Sequence, residues 1–276
     1  MTATAPSPPL VRRQERLGLV GSTNDVVRGW LADGEPEICI ARADRQTAGR
    51  GRTGRTWTAP AGRGLLVSLG FRPTWLAPDR VWQLAATASM AMADAAQDEA
   101  GMADRTIRLK WPNDLVLAAG DGSVRKVGGV LGETDGLGTA DPRAIVGIGL
   151  NADWAEADFP PDLAATMTSL RAATGDRPID TGRLFDGFVA RLEAGVAALH
   201  AGRFAAADWI ERQVTTGHDV AILRPDGSTQ WAVAVGVDPD SGALRIADSR
   251  EPGGEGSIVV GEIVHVRLAA RPRAGV

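Results

Sequence analysis

Residues 45–64 read RQTAGRGRTGRTWTAPAGRG. Glycines at 49, 51 and 54 let the backbone take positive φ and come close to a ligand. Arg50, Arg52 and Arg55, interleaved with them, supply fixed positive charge and two-pronged donors suited to phosphate or carboxylate. Trp57 offers an indole face for a purine. From Arg42 to Arg72 there are seven Arg and one Asp, in a chain of 276 residues whose net charge is -4. On physical grounds alone this is a phosphate-anchoring loop. It is not a P-loop, because GxxxxGK(S/T) is absent. The competing reading is a solvated basic loop that binds RNA weakly, although no RGG repeat accompanies it.

Working outward, GluIleCysIle at 37–40 begins a strand, and the polar loop spans 43–63. GLLVSLGF (64–71) is a second strand, too apolar to be exposed on both faces. Upstream, residues 13–31 are expected to hold a turn and then a helix, N-capped by Ser22 or Thr23 with Asp25 in its first turn. Residues 1–12 are expected to be a disordered tail. Downstream, 79–100 forms the most regular helix: Val81, Leu84, Ala88, Met92 and Ala95 share one stripe, and Gly101 ends it. TIRLK (106–110), LVLA (115–118), VGGVLGET (127–134) and AIVGIGLN (144–151) follow as strands, with turns at WPND (111–114) and GlyAspGly (120–122). A helical stretch covers 181–215, broken near Gly202. The final segments HDVAILR, WAVAVGVD, ALRIAD and SIVVGEIVHVR are short strands at regular spacing, which indicates a small β-barrel or sandwich beyond a boundary near 216.

Composition narrows the function. Hydrophobic residues make up 44% and charged residues 23%, ordinary values for a globular chain. The acidic balance argues against nucleic acid as the main partner. Cys39 is the single cysteine, so an internal disulfide and a Cys-rich zinc site are excluded. The first residues lack an apolar signal core, and no stretch approaches ~18 consecutive apolar residues. A cytoplasmic enzyme fits these features.

Of 30 Lys and Arg residues, only Lys110 and Lys126 are lysines, and the only asparagines are Asn24, Asn113 and Asn151. A lysine kept in so arginine-rich a chain suggests a place for a compact ammonium. All five fall inside or beside the glycine-rich segments. Each also has a bland reading. KWPNDL (110–115) is, taken alone, a Trp-Pro turn with an Asn/Asp cap. Lys126 before VGG, and Gly147, Gly149 and Asn151 in GIGLN, fit a bulge or close packing. Together they point to a polyanion, a purine and a small acid. His200, His218 and His265 lie late in the chain, away from these segments, and Cys39 sits in an apolar strand, buried and inert. No nucleophile constellation is evident, so catalysis is expected to rest on positioning and electrostatics.

These motifs resemble one family. GRGRTGRTW is similar to the adenylate-binding loop of biotin–protein ligases, GRGRxGRxW, and KWPND, KVGGVLGE and GIGLN follow in that family's order. SerThrAsn at 22–24 looks like its early biotin-contacting motif, with Gln46 just ahead of the loop and TSL at 168–170. The match spans about 17–268. The resemblance implies an α+β fold: a mixed β-sheet catalytic domain (13–215) flanked by helices, like class II synthetases and lipoyl ligases, with a small SH3-like β-barrel at 216–270. It implies that ATP and biotin form biotinyl-5'-AMP, with Mg²⁺ as the metal, and that biotin then passes to a lysine of a biotin carboxyl carrier protein or an acyl-CoA carboxylase carrier domain. Lys110 and Arg52 would be catalytic. Ser22, Thr23, Asn24, Gln46, Gly49, Arg50, Arg52, Lys110, Gly129, Gly147 and Gly149 would hold biotin. Arg50, Arg52, Arg55, Trp57, Asn113, Lys126 and Asn151 would bind nucleotide, Asn151 at its metal side; no metal ligand is directly assignable.

Some members of that family carry an N-terminal winged-helix domain and act as operon repressors. SerThrAsn begins at 22 here, so no specific DNA binding is expected. A lipoyl or octanoyl ligase is the nearest rival; its different Arg/Gly/His loop pattern argues against it.

Overall fold

The computed structural model describes residues 10–119, 123–247, 255–259 and 265–268. The larger part is built on a seven-stranded sheet in the order β1-β2-β3-β7-β6-β5-β4. Its strands are β1 (Arg13–Val20), β2 (Cys39–Gln46), β3 (Gly64–Phe71), β4 (Ile107–Lys110), β5 (Asp114–Ala118), β6 (Val124–Asp135) and β7 (Arg143–Asn151). β1 and β2 run parallel and the other neighbours antiparallel, so the sheet is mixed as expected.

Strand alternation divides the sheet's two faces. In β7, Val146, Ile148 and Leu150 join the main core with Leu65, Val67, Leu69 and Phe71 of β3. That face is covered by α2 (Trp82–Ala100) and α4 (Thr181–His200). Leu65, Leu69 and Leu150 are fully buried, and each removes apolar surface worth roughly 2 kcal/mol. The other face of β7 carries Ile145, Gly147, Gly149 and Asn151. There Ile145 packs with Val27 and Leu31 of α1 (Thr23–Ala32), beside Cys39 and Ala41 of β2. Among the described residues α1 is the helix packed on that face, and the cleft described below opens on it.

α2 ends on Gly101 in the left-handed conformation, φ 60°, as its sequence implies. Its buried Gln97 accepts a hydrogen bond from the Ile107 amide and so pins the start of β4. A short helix, α3 (Leu170–Ala173), is capped by Ser169, whose Oγ accepts from the Ala172 amide. After α5 (Ala206–Glu211), the chain runs beside β4: the Leu109 amide donates to Arg212 O, and the Val214 amide to Leu109 O.

The C-terminal strands β8 (Asp219–Leu223), β9 (Thr229–Val237), β10 (Leu244–Ala247), β11 (Glu255–Ile258) and β12 (His265–Leu268) form a five-stranded sheet in the order β11-β10-β9-β8-β12. Among the described residues its β11 and β12 edges are not paired with each other, so a sheet is seen and barrel closure is not. Trp111 ties the two parts together: its amide donates to Thr215 Oγ1 and its indole N–H to Gly242 O.

Several expectations are corrected. Residues 13–20 form strand β1 rather than a turn. Its pattern is exposed along most of its length, so it carries little of the alternation that marks a strand. Residues 10–12, read as tail, pair with Ile38: the Ile38 amide donates to Leu10 O and the Arg12 amide to Ile38 O. β2 begins at Cys39 and runs through Gln46, so the loop starts at 47 and not 43. α2 starts at Trp82, after a 3-10 turn at Pro78–Arg80. The expected tail at 1–9 and the turn at 120–122 lie outside the described residues, as do residues 260–264 of the last strand segment.

Candidate active site

A cleft of about 1190 Å³ opens on the glycine face of the sheet. It gathers the expected site residues from five stretches of chain: Ser22, Thr23 and Asn24; Gln46; Arg50, Arg52, Arg55 and Trp57; Lys110 and Asn113; and Lys126, Gly129, Gly147, Gly149 and Asn151. Gly49 is the exception. It stands behind the wall, where its carbonyl accepts the Trp57 amide and a β-carbon would overlap Trp57 O. The arginine cluster of the sequence disperses: Arg63 pairs with Asp158, Arg72 with Asp141, and Arg42 bonds Thr181, leaving Arg50, Arg52 and Arg55 on the cleft.

The polar floor starts at the N-terminus of α1. Ser22 is its N-cap residue, in extended conformation but without a side-chain cap bond. The Thr23 amide and hydroxyl both donate to Gln46 Oε1, at 2.7 and 3.0 Å. Ser68 Oγ lies 2.7 Å from Thr23 Oγ1 and 2.5 Å from Asn24 Oδ1. The Thr23 proton is committed to Gln46, so the Ser68 proton is shared between these two acceptors. Asn24 Nδ2 donates to Glu133 Oε2 at 2.6 Å. Both ends of the Asn24 amide are therefore engaged, and Asn24 acts as a strut in the wall. A β-carbon at residue 147 would overlap Asn24 Oδ1, which accounts for glycine there. Ser68 carried no motif and Glu133, the last residue of KVGGVLGE, was given no role; strand register brings both here.

The loop is a tight hairpin. Arg50 and Thr56 form an isolated bridge, Gly51 N donates to Arg55 O at 2.7 Å, and the tip passes through Thr53 at φ 54° and Gly54 at φ 75°. Positive φ at the tip is the use predicted for glycine in this loop. Arg50, expected to reach a ligand's carboxylate and phosphates, makes a two-pronged bond to Asp25 at 2.7 and 2.8 Å and approaches Glu133 at 3.4 Å. That pair holds the Asp25 carboxyl below its ordinary value. Arg52 is lowered by burial, an effect partly offset by Asp114.

Lys110, at the end of β4, is 9% exposed. Burial lowers its pKa, and Asp114, whose Oδ2 is 3.7 Å from Nζ, opposes the shift. Asp114 also binds Lys126 at 2.5 Å, so one carboxylate serves both lysines of the chain. Asn113, expected on nucleotide, lines the cleft and donates from Nδ2 to Val130 O, while the Val130 amide donates back to Asn113 O. Its amide nitrogen is therefore committed to the β5–β6 junction. Asn151 is 2% exposed and donates to Thr168 O, which sets the position of the 166–170 segment.

Trp57 lies against Gly149 and Gly129, with Lys126 Nζ 5.4 Å from the ring centroid. Its indole nitrogen is buried without a hydrogen-bond partner. His218, expected to lie away from the site segments, lines the cleft together with Asp219, because the start of β8 returns to it. His200 stacks on Trp75, well separated in role, and Cys39 is buried with its thiol pushed up to about 11 by desolvation. Among the described residues no group of three or more His, Cys, Asp or Glu could hold a metal ion.

Comparison with known proteins agrees with this geometry. Residues 20–151 match the model of the biotin/lipoate A/B protein ligase family. The biotin–[acetyl-CoA-carboxylase] ligase of Mycobacterium tuberculosis is 30% identical over 259 residues, covering 93% of this chain and 90% of that protein. The chain belongs to the biotin/lipoate A/B protein ligase family.

A second family member, the biotin–[acetyl-CoA-carboxylase] ligase of Paracoccus denitrificans, is 34% identical over 236 residues, covering 84% of this chain and 92% of its own. The bifunctional ligase/repressor BirA of Bacillus spizizenii is 31% identical over 159 residues, and the match spans 46% of its length. Among solved structures, the biotin protein ligase of Aquifex aeolicus in complex with biotin and ATP shares the fold with a TM-score of 0.75 at 24% identity, covering 94% of this chain and all of that one.

Proposed function

We propose that this cleft joins biotin to ATP as biotinyl-5'-AMP and then passes the biotinyl group to a lysine of a biotin carboxyl carrier domain. The observation that carries the reading is a convergence in one cleft: the hydrogen-bonded floor of Thr23 and Gln46, backed by Ser68, the Trp57 indole laid flat on Gly129 and Gly149, and the buried cation Lys110 with Arg52 and Arg55. The floor suits a polar ring system, with Gln46 Oε1 taken by Thr23 and its amide nitrogen left to donate. The glycines let the Trp57 indole lie flat against the strands, an aromatic surface suited to the adenine ring. The cations suit the carboxylate and the phosphates.

In the first step a biotin carboxylate oxygen attacks the α-phosphorus of ATP, and the bond to pyrophosphate breaks. Both reactants are anionic, and Lys110, Arg52 and Arg55 offset their repulsion. Mg²⁺, the metal this chemistry calls for, would supply further charge neutralisation. The donor set fits a metal carried on the triphosphate rather than a protein cage, since Asp114 is already committed to Lys110 and Lys126. In the second step the carrier amine attacks the acyl carbon of the anhydride and AMP leaves. A loop lying over the cleft excludes water, to which the anhydride would otherwise be lost. Arg52, half-buried in that loop, holds the adenylate, so Arg52→Gly releases it sooner.

No described helix is long and apolar enough to cross a membrane, which is compatible with a cytoplasmic place for this activity. The net charge of -4 argues against a DNA partner. The test is ATP–pyrophosphate exchange with Mg²⁺ and biotin, lipoate or no acid. Exchange with biotin alone is expected; exchange with lipoate, or with neither acid, overturns the reading.

A further inference from the structure

We propose that Glu133 is a positioning residue for this reaction: its carboxylate sets the Asn24 amide in the cleft floor and, through Arg50, tethers the glycine–arginine loop to the same wall. The inference rests on the reading above and deepens it.

Glu133 sits on β6 opposite Ile145, on the face that meets α1. One of its oxygens takes the Asn24 Nδ2 proton at 2.6 Å and an Arg28 Nη2 proton at 2.9 Å, and Arg50 Nη2 stands 3.4 Å from the other. A buried asparagine can turn its amide end for end with little change of shape. What decides the sense is the partner at each end. Asn24 is 4% exposed. Ser68 presents a donor to its oxygen, and Glu133, an acceptor only, requires its nitrogen. With Glu133 removed, the nitrogen end is left buried and unbonded, and the amide is free to turn. Its oxygen end lies over Gly147, so the turn would set N–H groups against the β7 backbone and change the hydrogen-bonding character of the cleft floor there.

The same carboxylate faces the loop. Arg50 is the first arginine of GRGRTGR, and its contacts are Asp25 at the α1 end and Glu133 at the sheet. A continuous chain of bonds thus runs from Gln46 through Thr23, Ser68, Asn24 and Glu133 to Arg50. It links the group that would grip the acid to the loop that would cover the intermediate.

The test compares Glu133→Ala, Glu133→Gln and Arg28→Ala. Arg28 touches the same carboxylate from the exposed side and serves as the control. In the protein without ligand, trypsin cleavage after Arg50, Arg52 and Arg55 should be roughly twofold to threefold faster in both Glu133 variants, because one of the two carboxylates that hold Arg50 loses its charge while Asp25 remains. It should be unchanged in Arg28→Ala. In pyrophosphate exchange, Glu133→Ala should raise the KM for biotin roughly tenfold with little change in that for ATP. Glu133→Gln, whose amide oxygen still accepts from Asn24, should keep the biotin KM near wild type. A Glu133→Ala protein with wild-type cleavage and wild-type biotin KM overturns the proposal, as does an Arg28→Ala protein that behaves like it. If Glu133→Ala fails to fold, the near-isosteric Glu133→Gln still carries the cleavage comparison. Absence of biotin-dependent exchange in the wild-type protein would strike the functional reading, whereas the cleavage comparison would still decide the tether.

Discussion

The indole of Trp57 rests on the bare Cα of Gly149: a β-carbon there would overlap the ring at Cε2, Nε1 and Cζ2. Gly149 lies mid-strand in β7, between β3 and β6, where backbone conformation suits any residue. The glycine is thus explained by the indole above it. Gly149→Ala should leave the sheet intact and lower the exchange rate about tenfold or more, since overpacking a fitted contact is costly. In a Trp57→Ala background the same change should cost little further. Two additive losses, measured as a double-mutant cycle of exchange rates, would refute the contact's role.

Gln46 separates the two substrates. Its oxygen is consumed by Thr23, so its remaining amide hydrogens face the acid and not the nucleotide in this reading. Gln46→Ala should raise the KM for biotin about tenfold and leave the KM for ATP near wild type. Steady-state exchange at varied biotin and varied ATP distinguishes this from general damage, in which both would rise.

Lys110 sets an alkaline limit. Burial disfavours its ammonium, so the proton leaves below the ordinary lysine value of 10.5. The kcat/KM for exchange, which reports the free enzyme, should therefore fall on the alkaline side before pH 10.5. Lys110→Arg should lower the rate at neutral pH and move that limb upward. Stability follows with the opposite sign. The buried charge costs stability until pH rises through the folded value, so Lys110→Met should be the more stable protein at pH 7, by a margin that shrinks toward pH 10.5. Thermal melts across that range check the sign.

The Arg50–Asp25 pair marks the acid side. Asp25 is held below its ordinary 3.8, chiefly by its hydrogen bond from Arg50. A carboxylate with a lowered folded value contributes stability that is complete above pH 3.8 and is lost as pH falls through the folded value. Asp25→Asn should be slightly less stable than wild type at pH 7, by under about 1 kcal/mol for so exposed a pair. The difference should vanish in strong acid. Denaturant melts at pH 7 and at a series of pH values below 3.8 should show the gap narrowing as pH falls, and a gap that does not narrow would remove the pair from the account.

Much of the site was legible before the structure because its chemistry is local. Glycines at 49, 51 and 54 between arginines describe a loop that can turn tightly and carry charge, and it does so with Gly54 at positive φ. GLLVSLGF was read with its ends at 64 and 71, where the strand lies, because a run apolar on both faces needs cover on both. β1 was missed because an edge strand exposed along RQERLGLV shows little of that pattern. The bond from Asn113 to Val130 across the hairpin was not legible in KWPND, because it depends on the pairing of β5 with β6. The sheet order, which puts β7 between β3 and β6, was not derivable from spacing.

The amino-acid sequence by itself determined the kinds of group present: a flexible cationic loop, two lysines among many arginines, and glycines spaced two apart on a strand so that they share one face. Those follow from side-chain chemistry and from the repeat of two along a strand. Only the tertiary structure decided which groups meet. Asn24 and Glu133 are 109 residues apart and form one hydrogen bond; Arg50 and Asp25 are 25 apart and form one ion pair. Partnerships of that kind depend on strand register and on how α1 seats against the sheet, and no local pattern carries that information.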